Sequence, residues 1–158
     1  DNNILACRYG IEQLRELTET NFKVDLNQGM DIRKLDKETC QIISKVKWLR
    51  YIRFSCDTAA QLPYFEKAVK LFDEFRVPKS KIFVYFLVRN DLEEANARLQ
   101  KLHSICKSFS VYAQAERNES LGIRPTKLQL EFAQRYVYGR LYKKETWADY
   151  CRRKNIKL

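Results

Sequence analysis

The sequence predicts an α/β fold, an incomplete parallel (β/α) barrel of about four strands with helices at its C-terminal end, on three observations. Four segments, 22–28, 51–57, 81–88 and 109–116, alternate apolar with polar residues and are rich in β-branched and aromatic side chains, the pattern of half-buried strands. Each leads into a helical pattern. The segment centres, near Val24, Phe54, Val84 and Val111, are spaced by 30, 30 and 27 residues, the length of a strand plus a crossover helix. Finally, one face of each predicted strand is apolar throughout, as expected when helices cover a sheet on one side.

Taken in chain order, Ile11, Leu14 and Leu17 recur at helical spacing and mark a first helix. It has the position of a crossover, so a further strand is expected ahead of Asp1. After the first predicted strand, Asp36 can cap a helix running to about residue 48. Pro63 suits the first turn of a helix carrying Phe65, Ala68, Val69 and Phe72, and Pro78 lies beyond its end. Asp91 with Glu94 resembles a capping box ahead of Leu92, Ala95, Leu99 and Leu102. Thr126 with Gln129 does the same for Leu128, Phe132, Tyr136 and Leu141, and a short helix is expected over 146–153. Residues 1–117 thus form the predicted barrel portion and 118–158 a basic helical extension packed on it.

The apolar strand faces are Phe22, Val24 and Leu26; Ile52, Phe54 and Cys56; Ile82, Val84, Phe86 and Val88; and Phe109, Val111, Ala113 and Ala115. The opposite faces carry Lys23, Asp25 and Asn27, then Arg53, Ser55 and Asp57, then Phe83, Tyr85 and Leu87, then Ser110, Tyr112, Gln114 and Glu116. A doubly wound sheet buries both faces and would show continuous apolar runs instead. A closed eight-stranded barrel fills its interior with branched aliphatics, whereas unpaired charges in such an interior would each be costly. An open, wet cleft that holds a ligand is expected.

Composition narrows the function. At 158 residues the chain fits one domain with a sizeable core, and its 45% hydrophobic content argues against disorder. No apolar run approaches the ~20 residues of a membrane span. The five cysteines, Cys7, Cys40, Cys56, Cys106 and Cys151, are odd in number and dispersed, which fits a reducing, cytoplasmic setting better than a disulfide framework. Thirty basic against twenty acidic residues give a net charge of +10 and favour anionic partners. The excess is concentrated at the C-terminal end, where 116–158 holds eleven Lys or Arg against five Asp or Glu.

In a (β/α) barrel the functional groups sit at the carboxyl ends of the strands. Here those ends supply Asp25, Asn27 and Gln28; Asp57; Arg89 and Asn90; and Gln114, Glu116 and Arg117. His103, between Leu102 and Ile105, reads as a structural histidine, since one imidazole makes neither a metal site nor a Ser-His-Asp triad. No cysteine pair has the close spacing of a zinc or iron–sulfur site, and Gly10, Gly29, Gly122 and Gly139 are isolated rather than clustered in a phosphate loop. In the C-terminal region, Arg135, Arg140, Lys143, Lys144, Arg152, Arg153 and Lys154 interleave with Tyr136, Tyr138, Tyr142 and Tyr150. The pattern suits either a helix with one aromatic and one solvated stripe or a nucleic-acid patch.

Four runs then carry a resemblance: Asp-Asn-Asn-Ile-Leu-Ala at 1–6, Val-Asp-Leu-Asn-Gln-Gly-Met-Asp-Ile-Arg at 24–33, Ile-Arg-Phe-Ser-Cys-Asp at 52–57, and Ile-Phe-Val-Tyr-Phe-Leu-Val at 82–88. They resemble the core of a bacterial radical SAM protein family over about residues 1–117. The resemblance implies a partial (β/α)6 TIM-type barrel in which a CxxxCxxC loop holds a [4Fe-4S] cluster. S-adenosylmethionine then binds the open iron and is cleaved to a 5'-deoxyadenosyl radical. It also implies that Asp1, Asn2 and Asn3 lie near the methionine end of the cofactor. Asn27 and Gln28 would end the family's third strand, with Arg53 and Asp57 on the fourth, Tyr85 on the fifth, and Tyr112 and Gln114 on the sixth, beside adenosine and substrate. The cluster motif is absent from this sequence, so the chain corresponds to the last four strands and is expected to bind no cluster by itself. Where family members carry a glycine and a longer loop after the fifth strand, this chain has Val88-Arg89-Asn90-Asp91.

The expectation is a C-terminal portion of a radical SAM enzyme, inactive alone, acting on an unidentified substrate in its parent. The alternative is a non-catalytic basic module that holds RNA or another anion. An unpaired edge on the first strand would favour self-association of two chains.

Overall fold

Four strands, Met30–Asp31 (β1), Ile52–Ser55 (β2), Ile82–Val88 (β3) and Ser110–Ala115 (β4), form one parallel sheet in the order β1-β2-β3-β4 in a computed structural model that describes residues 3–157. The connecting helices are Gly10–Glu19 (α1), Lys37–Lys45 (α2), Leu62–Glu74 (α3) and Leu92–Ile105 (α4). Lys127–Leu130 (α5), a π-helical turn at Glu131–Val137 and Trp147–Lys154 (α6) follow β4.

The expected caps are in place. Asp36 accepts from the Thr39 amide at 2.8 Å and Asp91 from the Glu94 amide at 2.9 Å, each satisfying a free first-turn donor. Thr126 and Gln129 form a reciprocal capping box. Pro63 sits in the first turn of α3. Helix α2 stops at Lys45, short of the expected 48, because Trp48 turns back to pair with Val24 and donates its indole N–H to the Ile43 carbonyl at 2.8 Å.

The apolar faces of β2, β3 and β4 pack under the helices. Phe54, Cys56, Ile82, Val84, Phe86 and Val88 are fully buried, and Phe109 nearly so. Phe72 on α3 meets both Phe54 and Phe109, with ring centroids 5.9 and 6.4 Å apart. From α4, the guanidinium of Arg98 lies over the Phe86 ring at 4.0 Å. Helices α3 and α4 therefore cover the same face of the sheet.

The first strand departs from expectation. Over 22–28 only Val24 bridges its neighbour, pairing with Trp48, and the ladder resumes at Met30 opposite Phe54. Both pairs are offset by 24 residues, so the register of the expected strand is kept while its middle leaves the ladder. Arg53 explains the gap. It is almost fully buried, forms an ion pair with Asp25 and donates to the Leu26 carbonyl at 3.1 Å, satisfying chain groups that a strand partner would otherwise bond. Phe22, expected on the buried face, is 74% exposed. The edge of β1 is also only two residues long, and the Asn3 side chain accepts from its Asp31 amide at 3.2 Å, which leaves little of the expected template for strand addition.

At the C-terminal end one continuous helix was expected through Leu128, Phe132, Tyr136 and Leu141. Instead α5 passes into the π-helical turn, closed by the Tyr138 amide on the Ala133 carbonyl at 3.0 Å, and Arg140 then adopts a left-handed conformation with φ 58°. A non-glycine residue there costs about 1–2 kcal/mol. Packing explains the widened turn: Phe132, Tyr136, Trp147 and Tyr150 form one buried aromatic cluster, with Trp147 stacked on Tyr150 at 5.3 Å. The Tyr136 hydroxyl donates to the Glu145 carbonyl at 2.9 Å, and burial pushes its pKa up to about 12. Helix α6 forms as expected.

Candidate functional site

The carboxyl ends of the strands are joined by side chains from the crossover helices. Arg98, fully buried, donates to the Cys56 carbonyl at 2.5 Å and the Leu87 carbonyl at 2.7 Å, while Glu94 accepts from its guanidinium at 2.8 and 3.1 Å. Gln61 accepts from the Asp57 amide at 2.6 Å and donates to the Ser55 carbonyl at 3.2 Å. Arg89 spans the rim, donating to the Asp57 carbonyl at 3.1 Å and approaching the Glu116 carboxylate at 3.4 Å. Arg33 forks onto Asp31 at 2.7–3.1 Å, and that contact holds the Asp31 carboxyl below the usual range.

Asp57 differs from Asp31. Burial raises its pKa above the ordinary aspartate value, opposed by the charges of Arg98 and Arg89 and by the Leu87 amide. A desolvated carboxyl on a strand end among cations can hold a proton or receive a cationic ligand group.

The expected site residues fall into three groups. Asp1 and Asn2 lie outside the described residues. Asn3, Arg53 and Tyr85 are occupied in holding the fold: Asn3 caps the turn Ile4–Ala6 and the Asp31 amide, Arg53 binds Asp25, and Tyr85 donates its hydroxyl to the Asn27 carbonyl at 3.0 Å. The side chains of Asn27, Gln28, Tyr112 and Gln114 are exposed, and Asp57 is half-buried. Asn27 and Gln28 precede β1 rather than ending a strand, and they border a cavity of about 320 Å³ with Ile4, Cys7, Asp25 and Met30. Gly29, next in the chain, sits so close to the open face that a Cβ would lie 3.1 Å from the Tyr85 ring and 3.3 Å from the Ser55 Cβ.

The open face of the sheet is aromatic towards its amino end. Phe83 stacks on Tyr112 with centroids 6.1 Å apart, and Tyr85 meets both rings edge-on at 5.3 and 6.2 Å. Below them, at the starts of β2, β3 and β4, lies the larger cleft, about 920 Å³, bordered also by Tyr138, Arg140 and Lys143. The sequence named Tyr138, Arg140 and Lys143 only as part of a basic aromatic stripe; that they close a cleft against Tyr112 follows from the π-helical turn, for which periodicity gives no signal. Arg98 is not among the residues singled out from the sequence. Its spacing of four residues from Glu94 was the available signal.

The remaining groups are structural. His103 packs edge-on against Tyr142 at 5.4 Å, and burial lowers its pKa. All five cysteines are free thiols, and burial pushes Cys40 up to about 11 and Cys56 up to about 12, far from a reactive thiolate. Among the described residues no three His, Cys, Asp or Glu side chains group as a metal ion requires, and no helix is long and apolar enough to cross a membrane. Compared with protein-family models, curated proteins and solved structures, the chain finds no match.

Proposed function

We propose that this chain forms the last four strands of a radical SAM barrel, a partial (β/α)6 barrel whose carboxyl rim and open sheet face hold S-adenosylmethionine and a substrate. The observation that carries the proposal is the strand order. Four parallel strands follow one another without reversal, α3 and α4 cover one face, and the other face keeps Ser55, Tyr85, Tyr112 and Gln114 uncovered or half-covered. A doubly wound sheet would reverse its order at a switch point and bury both faces. The resemblance of the run 24–33 adds the cofactor class.

The described residues do not fit the cluster itself. Their cysteines are dispersed and mostly buried as neutral thiols, so the cluster's thiolates are assigned to polypeptide outside this chain. They do suit the organic cofactor. The amides of Asn27 and Gln28 line one cavity and can both donate to a carboxylate and accept from an ammonium group. Asp57 supplies a carboxylate for a cationic group, and Tyr85, Tyr112 and Gln114 supply ring faces and a further amide for a nucleoside. If bound, S-adenosylmethionine would supply radical chemistry, and the part of these residues would be to position it.

The test is the full-length product of the gene, purified without oxygen. Four irons per chain and release of 5'-deoxyadenosine from S-adenosylmethionine under reduction are expected. A product with neither iron nor 5'-deoxyadenosine overturns the proposal.

A further inference from the structure

We infer that the cleft at the amino ends of β2, β3 and β4 binds a nucleoside phosphate, its base stacked against Tyr112 and Tyr138 and its phosphate held by Arg140, Lys143 and Arg50. The cleft opens at the amino ends of the strands, away from Asp57 and Gln114, and shares with the S-adenosylmethionine proposal only the rings of Tyr85 and Tyr112; its binding does not rest on that proposal.

Charge is the first argument. Five cations border the cleft, Arg50, Arg53, Lys107, Arg140 and Lys143, and no acidic side chain does. Arg53 is neutralised by Asp25, but Arg50, Lys107, Arg140 and Lys143 form no ion pair with any described residue. The contrast with nearby cations is plain: Arg152 pairs with Asp149 at 3.0 Å, and Arg153 pairs with Glu145. Four cations without an ion pair thus line one cleft that has no acidic side chain on its border, and this local excess favours an anion.

Ring geometry is the second. Tyr138 is 68% exposed and Tyr112 40% exposed, yet their rings meet edge to face at 6.2 Å with 87° between planes. Two large exposed rings at right angles leave open π-faces, the platform on which bases stack. At about 920 Å³ the cleft has the size of a ligand site rather than a packing defect. Ser80, Ser108 and Ser110 border it as neutral hydrogen-bonding groups suited to a ribose.

The backbone is arranged to present these groups. Tyr138 directly follows the π-helical turn, and the left-handed Arg140 comes next but one, with its amide on the Val137 carbonyl at 2.9 Å and its own carbonyl accepting from the Lys143 amide at 3.2 Å. Gly139 leaves no room for a side chain, because a Cβ would run into the Arg135 carbonyl. The core needs Phe132, Tyr136 and Val137 from this segment; it makes no use of the exposed Tyr138 and Arg140 side chains.

Free mononucleotides and single-stranded RNA share this chemistry, and the test separates them. The 158-residue protein is titrated with AMP, adenosine and inorganic phosphate by calorimetry, and with a fluorescein-labelled octauridylate by anisotropy. Saturable binding of AMP, about tenfold or more tighter than adenosine or phosphate, identifies a mononucleotide site. Octauridylate binding that is far tighter than AMP and falls steeply with salt identifies the strand as the source. In either case Tyr138→Ala and Arg140→Gly should each weaken binding about tenfold. Glycine suits the left-handed position, so Arg140→Gly keeps the fold while removing the charge. Absence of saturable binding by both AMP and octauridylate, or binding unchanged in both variants, overturns the inference. None of these readouts involves iron or cleavage of S-adenosylmethionine, so this failure is distinct from failure of the barrel proposal.

Discussion

The hydroxyl of Tyr85, in the middle of β3, donates to the carbonyl of Asn27 at 3.0 Å, across 58 residues of sequence. One side chain of the open face thus anchors the segment that carries two of the proposed cofactor contacts, Asn27 and Gln28. Removing the hydroxyl in Tyr85→Phe should cost about 0.5–1.5 kcal/mol, the net worth of one such bond. Hydrogen exchange over 25–29 should quicken while β3 stays protected. Unchanged exchange there would show that the segment is held by other contacts.

Arg98 predicts a larger loss. Its buried guanidinium joins the carbonyls of Cys56 and Leu87 to the partly exposed Glu94 carboxylate. Arg98→Ala leaves those acceptors unpaired beside a cavity and should destabilise the fold by about 3–5 kcal/mol in urea unfolding. Arg98→Lys should recover only part, because an ammonium cannot fork between two strand ends.

Arg53 and Asp25 should respond unequally. The Arg53 side chain is 10% exposed and that of Asp25 is 30% exposed. Asp25→Ala strands a buried cation, whereas Arg53→Met replaces it with an apolar chain and leaves a better-solvated carboxylate. The first should therefore be the more destabilising by about 1 kcal/mol or more. Equal losses would mean that the pair is effectively solvent-screened.

Asp57 gives a pH signature. Burial raises its folded pKa above the unfolded value, so the folded state binds the proton more tightly and stability from this group is present at low pH and lost as pH rises through the raised pKa. Asp57→Asn should raise the melting temperature at pH 7, and the gain should vanish at pH values below the ordinary aspartate range. A loss of stability at pH 7 would instead make Arg89 and Arg98 the stronger influences. A carboxylate kept at a cost to stability is what a ligand-binding role demands.

Much of this fold could be read from the residues. The β-branched and aromatic runs in 51–57, 81–88 and 109–116 locate β2, β3 and β4 to within two residues, and Asp36, Asp91 and Thr126 mark helix starts, because both signals are local. The first strand was less legible. Val24 and Met30 keep its register, but whether residues between them join the ladder depends on Arg53, a residue 28 positions from Asp25. Strand parity places Asp57 and Gln114 at the carboxyl ends of β2 and β4, whereas Asn27 precedes β1 instead of ending it. The amino-end cleft does not follow from parity, since it depends on a π-helical turn that brings Tyr138 to Tyr112, and no period in the sequence encodes that turn.

The central claim is that the carboxyl rim and open sheet face hold S-adenosylmethionine, and the most direct measurement is cleavage by variants of the proposed contacts in the full-length product, with iron assayed alongside. Asn27→Ala and Gln114→Ala should each retain the wild-type iron content yet release 5'-deoxyadenosine about tenfold more slowly, the effect of about 1.4 kcal/mol of lost cofactor contact. Wild-type rates in both variants, or no cleavage by the iron-loaded wild-type protein, would contradict the account.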